Sequence, residues 1–403
     1  MPFQEMSAMG ERIALVKDYD TGAFSVTELA RRYSVSRETV YVWTRRRDEG
    51  SSSWFEDRSH AARSCPHATP PEQVAAIIAI REQFPHFGPK KIAAWLARTQ
   101  PNIEWPSCST MGDILKRAGL VEARRRERRP IAQAEIAPPD LAPNVEWAVD
   151  FKGWFRTLNG RRIDPLTVTD TASRYLIAAE IVAPSYGGVR PAFEAIFNIY
   201  GLPEAIRSDN GAPFGSTGAG GLSRLSVWFL KLGIAPVHVR PGSPQENGRH
   251  ERMHRTMKAQ TTAPPAATAA EQQRRFDTFR RHYNRERPHE ALDQTPPADH
   301  WQPSFRALPM RVEEPWYDAD HEVRRVDNKG CIKWRGELIF IGEAFGGETV
   351  GITEIEEGRH LVRFSSRDLG VIDPTLRFHR FAPPRPRLHC AAEPERDSRT
   401  DSE

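Results

Sequence analysis

Three acidic residues stand where folding would gather them. Asp150 lies in an alternating run, Asp209 opens a tight turn, and Glu251 belongs to a charged helical stretch. Converging carboxylates repel one another unless hard divalent cations neutralise them. Mg²⁺ favours a few carboxylates, water and phosphate oxygens. A pair of such ions activates an oxygen nucleophile and stabilises the leaving oxygen of an in-line phosphoryl displacement. The chemistry on offer is metal-assisted phosphoryl transfer.

Glu251 sits in the stretch from Ser243 to Lys258. Ser243 with Glu246 makes a capping box and Pro244 takes the first helical position, so a helix is expected from here to about Lys258. At 3.6 residues per turn, Asn247, Glu251, His254, Arg255 and Lys258 share one face. Alone, that stripe reads as a solvated i,i+4 pair. Glu246, in the first turn, suits capping, which leaves Glu251 as the third acid.

The elements that must position these acids can be read upstream. Val145 to Lys152 alternates, with Val145, Trp147, Val149 and Phe151 on one face and Asp150 on the other. Arg162 to Asp170 and Tyr175 to Ile181 continue a meander, with a turn at Thr171 to Arg174. Val189 to Tyr200 reads as a helix ended by Gly201-Leu202-Pro203. Ala205 to Ser208 is a short strand running into Asp209-Asn210-Gly211. A helix from Leu222 to Leu232 and a strand from Ile234 to Val239 lead to Pro241-Gly242. Three antiparallel strands followed by helix, strand, helix, strand and helix is the order of a ribonuclease-H-like α/β fold. Strand C-termini are where such folds build their sites.

Ordinary explanations cover the remaining candidates. Asp170 precedes Thr-Ala-Ser-Arg and reads as a turn former, and Asp164 lies near the same strands. His238 and His250 read as packing or DNA-backbone residues, and His254 as a DNA contact or a surface histidine. Arg285-Glu286-Arg287-Pro288-His289 would grip DNA or simply end a helix at Pro288.

The N-terminal third is helical. Glu11 to Phe24 reads as one helix. Ser25 with Glu28 caps a second, Ser34-Val35-Ser36 turns the chain, and Ser36 opens a third. Leu29, Ala30, Val35, Val40 and Trp43 would pack together, leaving Arg37, Glu38, Tyr41 and Thr44 outward. This is a helix-turn-helix whose second helix suits a DNA major groove, with Arg45-Arg46-Arg47 placed for phosphates. A second helical unit carries apolar Val74, Ile77, Ile78 and Ile80, then Phe87 to Leu96 and Ser109 to Ala118. The run Arg124 to Arg129 tracks phosphates or serves as a solvated linker.

Composition sets the outer bounds. The chain has 403 residues and a net charge of +4. Residues 1–130 hold 21 Lys and Arg against 16 Asp and Glu, so the surplus is N-terminal, where a polyanion would be gripped. No stretch approaches a membrane span and no secretory signal is apparent. Four cysteines without a C-x-x-C pair argue for a reducing compartment and against structural zinc. A cytoplasmic location is expected. Beyond Pro303, short alternating runs at Val323 to Val326, Cys331 to Trp334, Leu338 to Ile341, Thr349 to Glu354 and His360 to Phe364, with Val371 to Asp373, suggest a small β-barrel.

Trp147 to Gly153, Ser208 to Gly211, Pro241 to Arg252 and Tyr283 to Leu292, in that order, resemble the core of the DDE transposase and retroviral-type integrase superfamily. Within it they are most similar to insertion-sequence transposases of the IS481 and IS3 type, over about residues 10–300. The resemblance implies an enzyme that binds the ends of a mobile DNA element and performs strand cleavage and strand transfer. It implies Asp150, Asp209 and Glu251 as catalytic, metal-binding residues holding two Mg²⁺ or Mn²⁺ ions. Forty-one residues separate Asp209 from Glu251, more than is usual in the family, and the Gly-rich Gly215 to Ser223 stretch is expected to absorb the surplus as a loop. The zinc-binding N-terminus of retroviral integrases is replaced here by the helix-turn-helix.

The expected fold is therefore multidomain. A helix-turn-helix domain takes residues 1–60, a second helical domain 70–125 and a basic, Pro-rich linker 126–143. The ribonuclease-H-like core occupies 144–300, a small β-barrel 316–382, and a disordered tail 383–403. DNA contacts are expected from Arg37, Tyr41, Arg45, Arg46, Arg47, Asn247, Arg255 and Lys258. Partners are double-stranded DNA and further copies of the chain, with no membrane. A helix-turn-helix regulator would not need the acids, an inactive remnant would have lost one, and a ribonuclease H-type nuclease needs no helix-turn-helix.

Overall fold

The computed structural model describes residues 7–58, 68–121, 141–239 and 248–381. The chain forms two compact units, Met1–Pro70 and Pro71–Glu403. The capping box at Ser243 and Glu246, Asn247, the Arg124 to Arg129 run and the tail from 383 lie outside the described residues.

In the first unit, α1 (Ala8–Asp20), α2 (Val26–Arg32) and α3 (Arg37–Asp48) each begin at a serine cap. The Ser25 box is complete: its backbone N–H donates to Glu28 Oε2 at 2.7 Å, and its Oγ accepts from the Glu28 N–H at 3.3 Å. Ser34 turns the chain between α2 and α3 with φ 52°. Leu15, Val16, Leu29, Ala30, Val40 and Trp43 form the core. Thr44, expected outward, is buried instead. Its hydroxyl donates back to the carbonyls of Val40 at 3.1 Å and Tyr41 at 3.2 Å, which satisfies it inside the helix bundle.

The second unit opens with α4 (Pro71–Gln83), α5 (Pro89–Thr99) and α6 (Cys108–Arg117) around Ile77, Phe87, Ile92, Leu96 and Met111. A mixed sheet follows, with β1 (Glu146–Phe151), β4 (Pro165–Asp170), β5 (Leu176–Ile181), β6 (Ala205–Ser208) and β7 (Ala235–His238) in the order β5-β4-β1-β6-β7. β1 pairs antiparallel with β4 and parallel with β6. A two-stranded hairpin, β2 (Phe155–Arg156) and β3 (Arg162–Ile163), projects between β1 and β4.

Helices cover both faces of this sheet. On one, α7 (Tyr186–Tyr200) and α8 (Arg224–Lys231) bury Phe193, Phe197 and Phe229 against Trp147, Val149 and Val168. On the other, α9 (Gly248–Thr261) and α10 (Ala269–Arg285) bring Met253, Met257, Phe276 and Phe279 against Leu176 and Ala179. The fold is the ribonuclease-H-like arrangement.

Of α10 the sequence showed only the end, at Pro288; its start and its role were not read. Its side chains complete the edge strand β5. Asn284 accepts from the Leu176 N–H at 2.8 Å and donates to its carbonyl at 2.9 Å. Gln273 does the same for the Ile181 N–H and the Ala179 carbonyl, both at 2.9 Å. An edge that would offer open backbone groups is closed by amides.

The C-terminal region is sheet-rich. β8 (Glu322–Arg325), β11 (Thr349–Glu356), β12 (Arg359–Phe364), β13 (Arg367–Ile372) and β14 (Phe378–Arg380) form one sheet, and β9 (Cys331–Trp334) pairs with β10 (Glu337–Phe340) in another. No closed sheet forms among the described residues. The Gly-rich stretch after Asp209 is more than a spacer: Ala219 and Leu222 are buried with Val227 and Leu230 of α8 among Val326, Trp334, Phe345 and Leu369. Lys231 seals this contact on Glu348 at 2.6 Å.

Candidate active site

The sheet register explains how the first two acids meet. Trp147 lies beside Ile206 and Ala148 beside Arg207 in the parallel pair β1 and β6. Carried two residues further, the same register sets Asp150 beside Asp209, on strands spaced about 4.8 Å apart. Both lie at strand C-terminal ends, Asp150 within β1 and Asp209 just past β6. Asp209 Oδ1 accepts from the Gly211 N–H at 3.1 Å, which fixes the turn.

The third acid is positioned through its neighbours. Across the antiparallel pair, Thr167 of β4 faces Asp150. Its hydroxyl lies 2.6 Å from His250 Nε2 and 2.7 Å from His254 Nε2, and Thr169 Oγ1 lies 3.1 Å from His250 Nδ1. Residues i and i+4 of α9 thus dock on one threonine. His254 is buried at 6% exposure, with Nδ1 3.8 Å from Asp150 Oδ2. The expected common face is therefore split: Glu251, Arg255 and Lys258 are exposed, whereas His254 turns into the sheet. Composition of the stripe could not show this, because the buried partner is a threonine 87 residues away.

Charge crowding marks the site. The Asp150 carboxyl is pushed up to about 7, first by burial, then by the charge of Asp209, with Glu251 adding a smaller push. The Phe151 backbone N–H and Lys152 oppose it. Burial also holds His250 down at about 3, and burial with His250 and Lys152 holds His254 down at about 2, so both imidazoles are neutral anchors. Lys152, overlooked in the sequence, lies where the charge of Lys258 depresses it further after burial. Asp209 and Glu251 act by charge on Asp150, and Lys152 and Lys258 stand near it, whereas the described residues whose ligand atoms lie close enough together to share one ion are Asp318, Asp320 and His321.

Other acids and bases are employed structurally. Asp170 is 1% exposed and accepts from the Asn144 N–H at 2.7 Å, the Ser173 N–H at 2.7 Å and the Ser173 hydroxyl at 2.6 Å, as a turn-forming aspartate should. Asp164 pairs with Arg162 at 2.9 Å. On α3, Arg37, Tyr41 and Arg45 are exposed at i, i+4 and i+8. Arg46 lies over the Trp43 ring at 4.6 Å, and Arg47 engages Asp20 and Asp48.

Comparison with known families agrees with this fold. The chain matches integrase core domains over residues 140–244 and 232–297, and the C-terminal domain of IS481 family transposases over 321–378. It also matches a helix-turn-helix domain over 11–53 and a homeodomain-like domain over 39–115. An insertion element IS476 protein of 39.2 kDa from Xanthomonas euvesicatoria is 27% identical over 246 residues, covering 59% of this chain and 67% of that one. An insertion element IS407 protein of 31.7 kDa from Burkholderia multivorans is 28% identical over 191 residues, covering 46% and 66%. These matches support an insertion-element transposase of the IS481/IS3 type. Such a transposase is a DNA-binding polynucleotidyl transferase with helix-turn-helix domains and an integrase core. The HTLV-2 integrase catalytic core in complex with magnesium aligns with 40% of this transposase and 97% of its own chain, at 14% identity and a TM-score of 0.32. Among the described residues, no helix is long and apolar enough to cross a membrane.

Proposed function

We propose that this transposase binds the ends of its element and joins a 3′-OH to target DNA, with Asp150, Asp209 and Glu251 holding two Mg²⁺ or Mn²⁺ ions. The observation that carries the reading is the charge that Asp209 and Glu251 place on the half-buried Asp150 carboxyl. When bound, the cations would supply activation of the attacking oxygen and charge stabilisation of the leaving oxygen. The chain's own residues do the rest. The neutral His250 and His254 hold α9, and with it Glu251, against β4 through Thr167. Lys152 and Lys258 would grip the phosphates on either side of the scissile bond. The exposed face of α3 carrying Arg37, Tyr41 and Arg45 would read element ends in a major groove.

Pairing two ends requires more than one copy, so the active species is a homo-oligomer on DNA acting in the cytoplasm. The C-terminal sheets, completed as a small barrel, would bind DNA or bridge subunits. The test uses the full chain, duplexes copied from the DNA flanking its reading frame, and Mg²⁺. Asp150→Asn, Asp209→Asn and Glu251→Gln should each abolish joining while end binding survives. Joining retained by any of them would overturn the triad. Deleting residues 1–60 should remove preference for the cognate duplex in a gel shift.

A further inference from the structure

We propose that the cleft between α5 and the segment 285–295 is a DNA-phosphate site whose donors are Lys91 and Arg287. It deepens the reading above, because it rests on this transposase working on DNA. α5 is docked against the end of α10 by polar bonds to backbone carbonyls. Arg98 Nη2 donates to the Arg285 carbonyl at 3.1 Å, and Lys91 Nζ donates to that of Pro288. Phe84, before α5, packs on the His282 ring with centroids 4.5 Å apart. Lys90 pairs outside with Glu290 at 3.2 Å.

Inside this cleft the hydrogen-bonding account does not close. Arg287 Nη1 and His289 Nε2 are buried without a hydrogen-bond partner, whereas His282 Nε2 lies 3.5 Å from Glu286 Oε2. Leaving a guanidinium N–H desolvated and unmade is costly, so Arg287 calls for a missing acceptor. The charges say the same. Burial, then the charges of Lys91, Arg287 and Arg174, push the His289 imidazole down to about 3. Burial and Arg287 push Lys91 down to about 8, and the acid opposing this is Glu290, which Lys90 already engages.

A phosphodiester answers both demands. It offers several oxygen acceptors to a guanidinium fork and carries the charge the cluster lacks. Direction adds to the argument. Arg287, Arg174 and Arg252 all act by charge on Tyr283, and Arg252 follows Glu251 on α9. Positive potential therefore continues from α5 to the helix that carries the third acid. A duplex lying along it would present its backbone to the second helical unit and its scissile bond to the carboxylates.

The test measures affinity of the full chain for a duplex by fluorescence anisotropy across a salt series, beside its melting temperature. With Arg287→Gln or Lys91→Gln, the slope of log affinity against log salt should shrink by about one, and Arg287→Lys should restore most of it. In Arg287→Gln the melting temperature should hold or rise, since the change relieves like-charge crowding, whereas Lys91→Gln also loses its bond to Pro288 and is read by the slope alone. An unchanged slope with a lowered melting temperature would mean a purely structural cluster and overturn the proposal. A second arm adds inorganic phosphate. It should raise the melting temperature of the wild type more than that of Arg287→Gln. If the wild type binds no duplex, the DNA reading itself fails. Phosphate protection alone would then mark a free-anion site and overturn the DNA assignment of this cleft.

Discussion

Asp150 and Asp170 are half-buried and buried aspartates on adjacent strands of one sheet, at opposite ends of the β1 and β4 pair. Burial pushes both carboxyls up. What differs is what surrounds the charge. Asp170 is met by three donors, two of them backbone N–H groups, and its ends tie Asn144 to the turn at Ser173. Asp150 is pressed by the charges of Asp209 and Glu251, with the neutral His254 Nδ1 3.8 Å away. A carboxylate surrounded by donors serves the fold, whereas one pressed by other acids suits the cation proposed above. The cleft at Arg287 is the mirror image, with cations crowded where an anion is missing.

The comparison is most easily broken by substitution. Asp150→Asn should reduce metal-dependent strand transfer on the order of 10³-fold or more, while the metal-free melting temperature holds or rises. It should also remove the rise in melting temperature that Mg²⁺ or Mn²⁺ gives the wild type. Asp170→Ala should do the reverse: urea unfolding would show a loss of about 2–4 kcal/mol, because buried N–H donors are left unpaired, and joining would persist in the folded fraction. Equal effects of the two changes on joining and on stability would dissolve the distinction.

Finer tests sharpen it. Thr167→Val keeps the shape of the threonine but strips α9 of its shared anchor. It should cost about 1–2 kcal/mol and lower joining more than duplex binding. His289 supplies a pH test. Its folded value of about 3 lies below the ordinary 6.5, so the unfolded chain takes up the proton first. Its contribution is whole above about pH 6.5 and is lost as pH falls toward 3, at about 1.4 kcal/mol per unit. Melting curves of His289→Gln should be flatter across that window. The smallest effect is expected on α3: Arg45→Gln should weaken duplex binding several-fold, and Arg47→Gln, paired within the fold, should weaken it less.

Much of this was legible in the residues themselves. The strands β1, β5, β6 and β7, the serine-capped helices and the order of the elements follow from alternation, capping and turn chemistry, which act over a few residues, whereas β2 was not read and Arg162 to Asp170, read as one strand, is split into β3 and β4. The three acids could be named because each sits at an element end in a recognisable run. Tertiary structure alone decided the rest. It turned His254 inward onto Thr167, seated the Gly-rich stretch under the C-terminal sheets, and used α10 to close the edge of β5. It also drew Lys91 and Arg287, 196 positions apart, into one cleft. Local patterns state what a residue is able to do. Which partner it meets is set by long-range packing, where burial and neighbouring charge fix whether the same side chain caps, anchors or waits for a ligand.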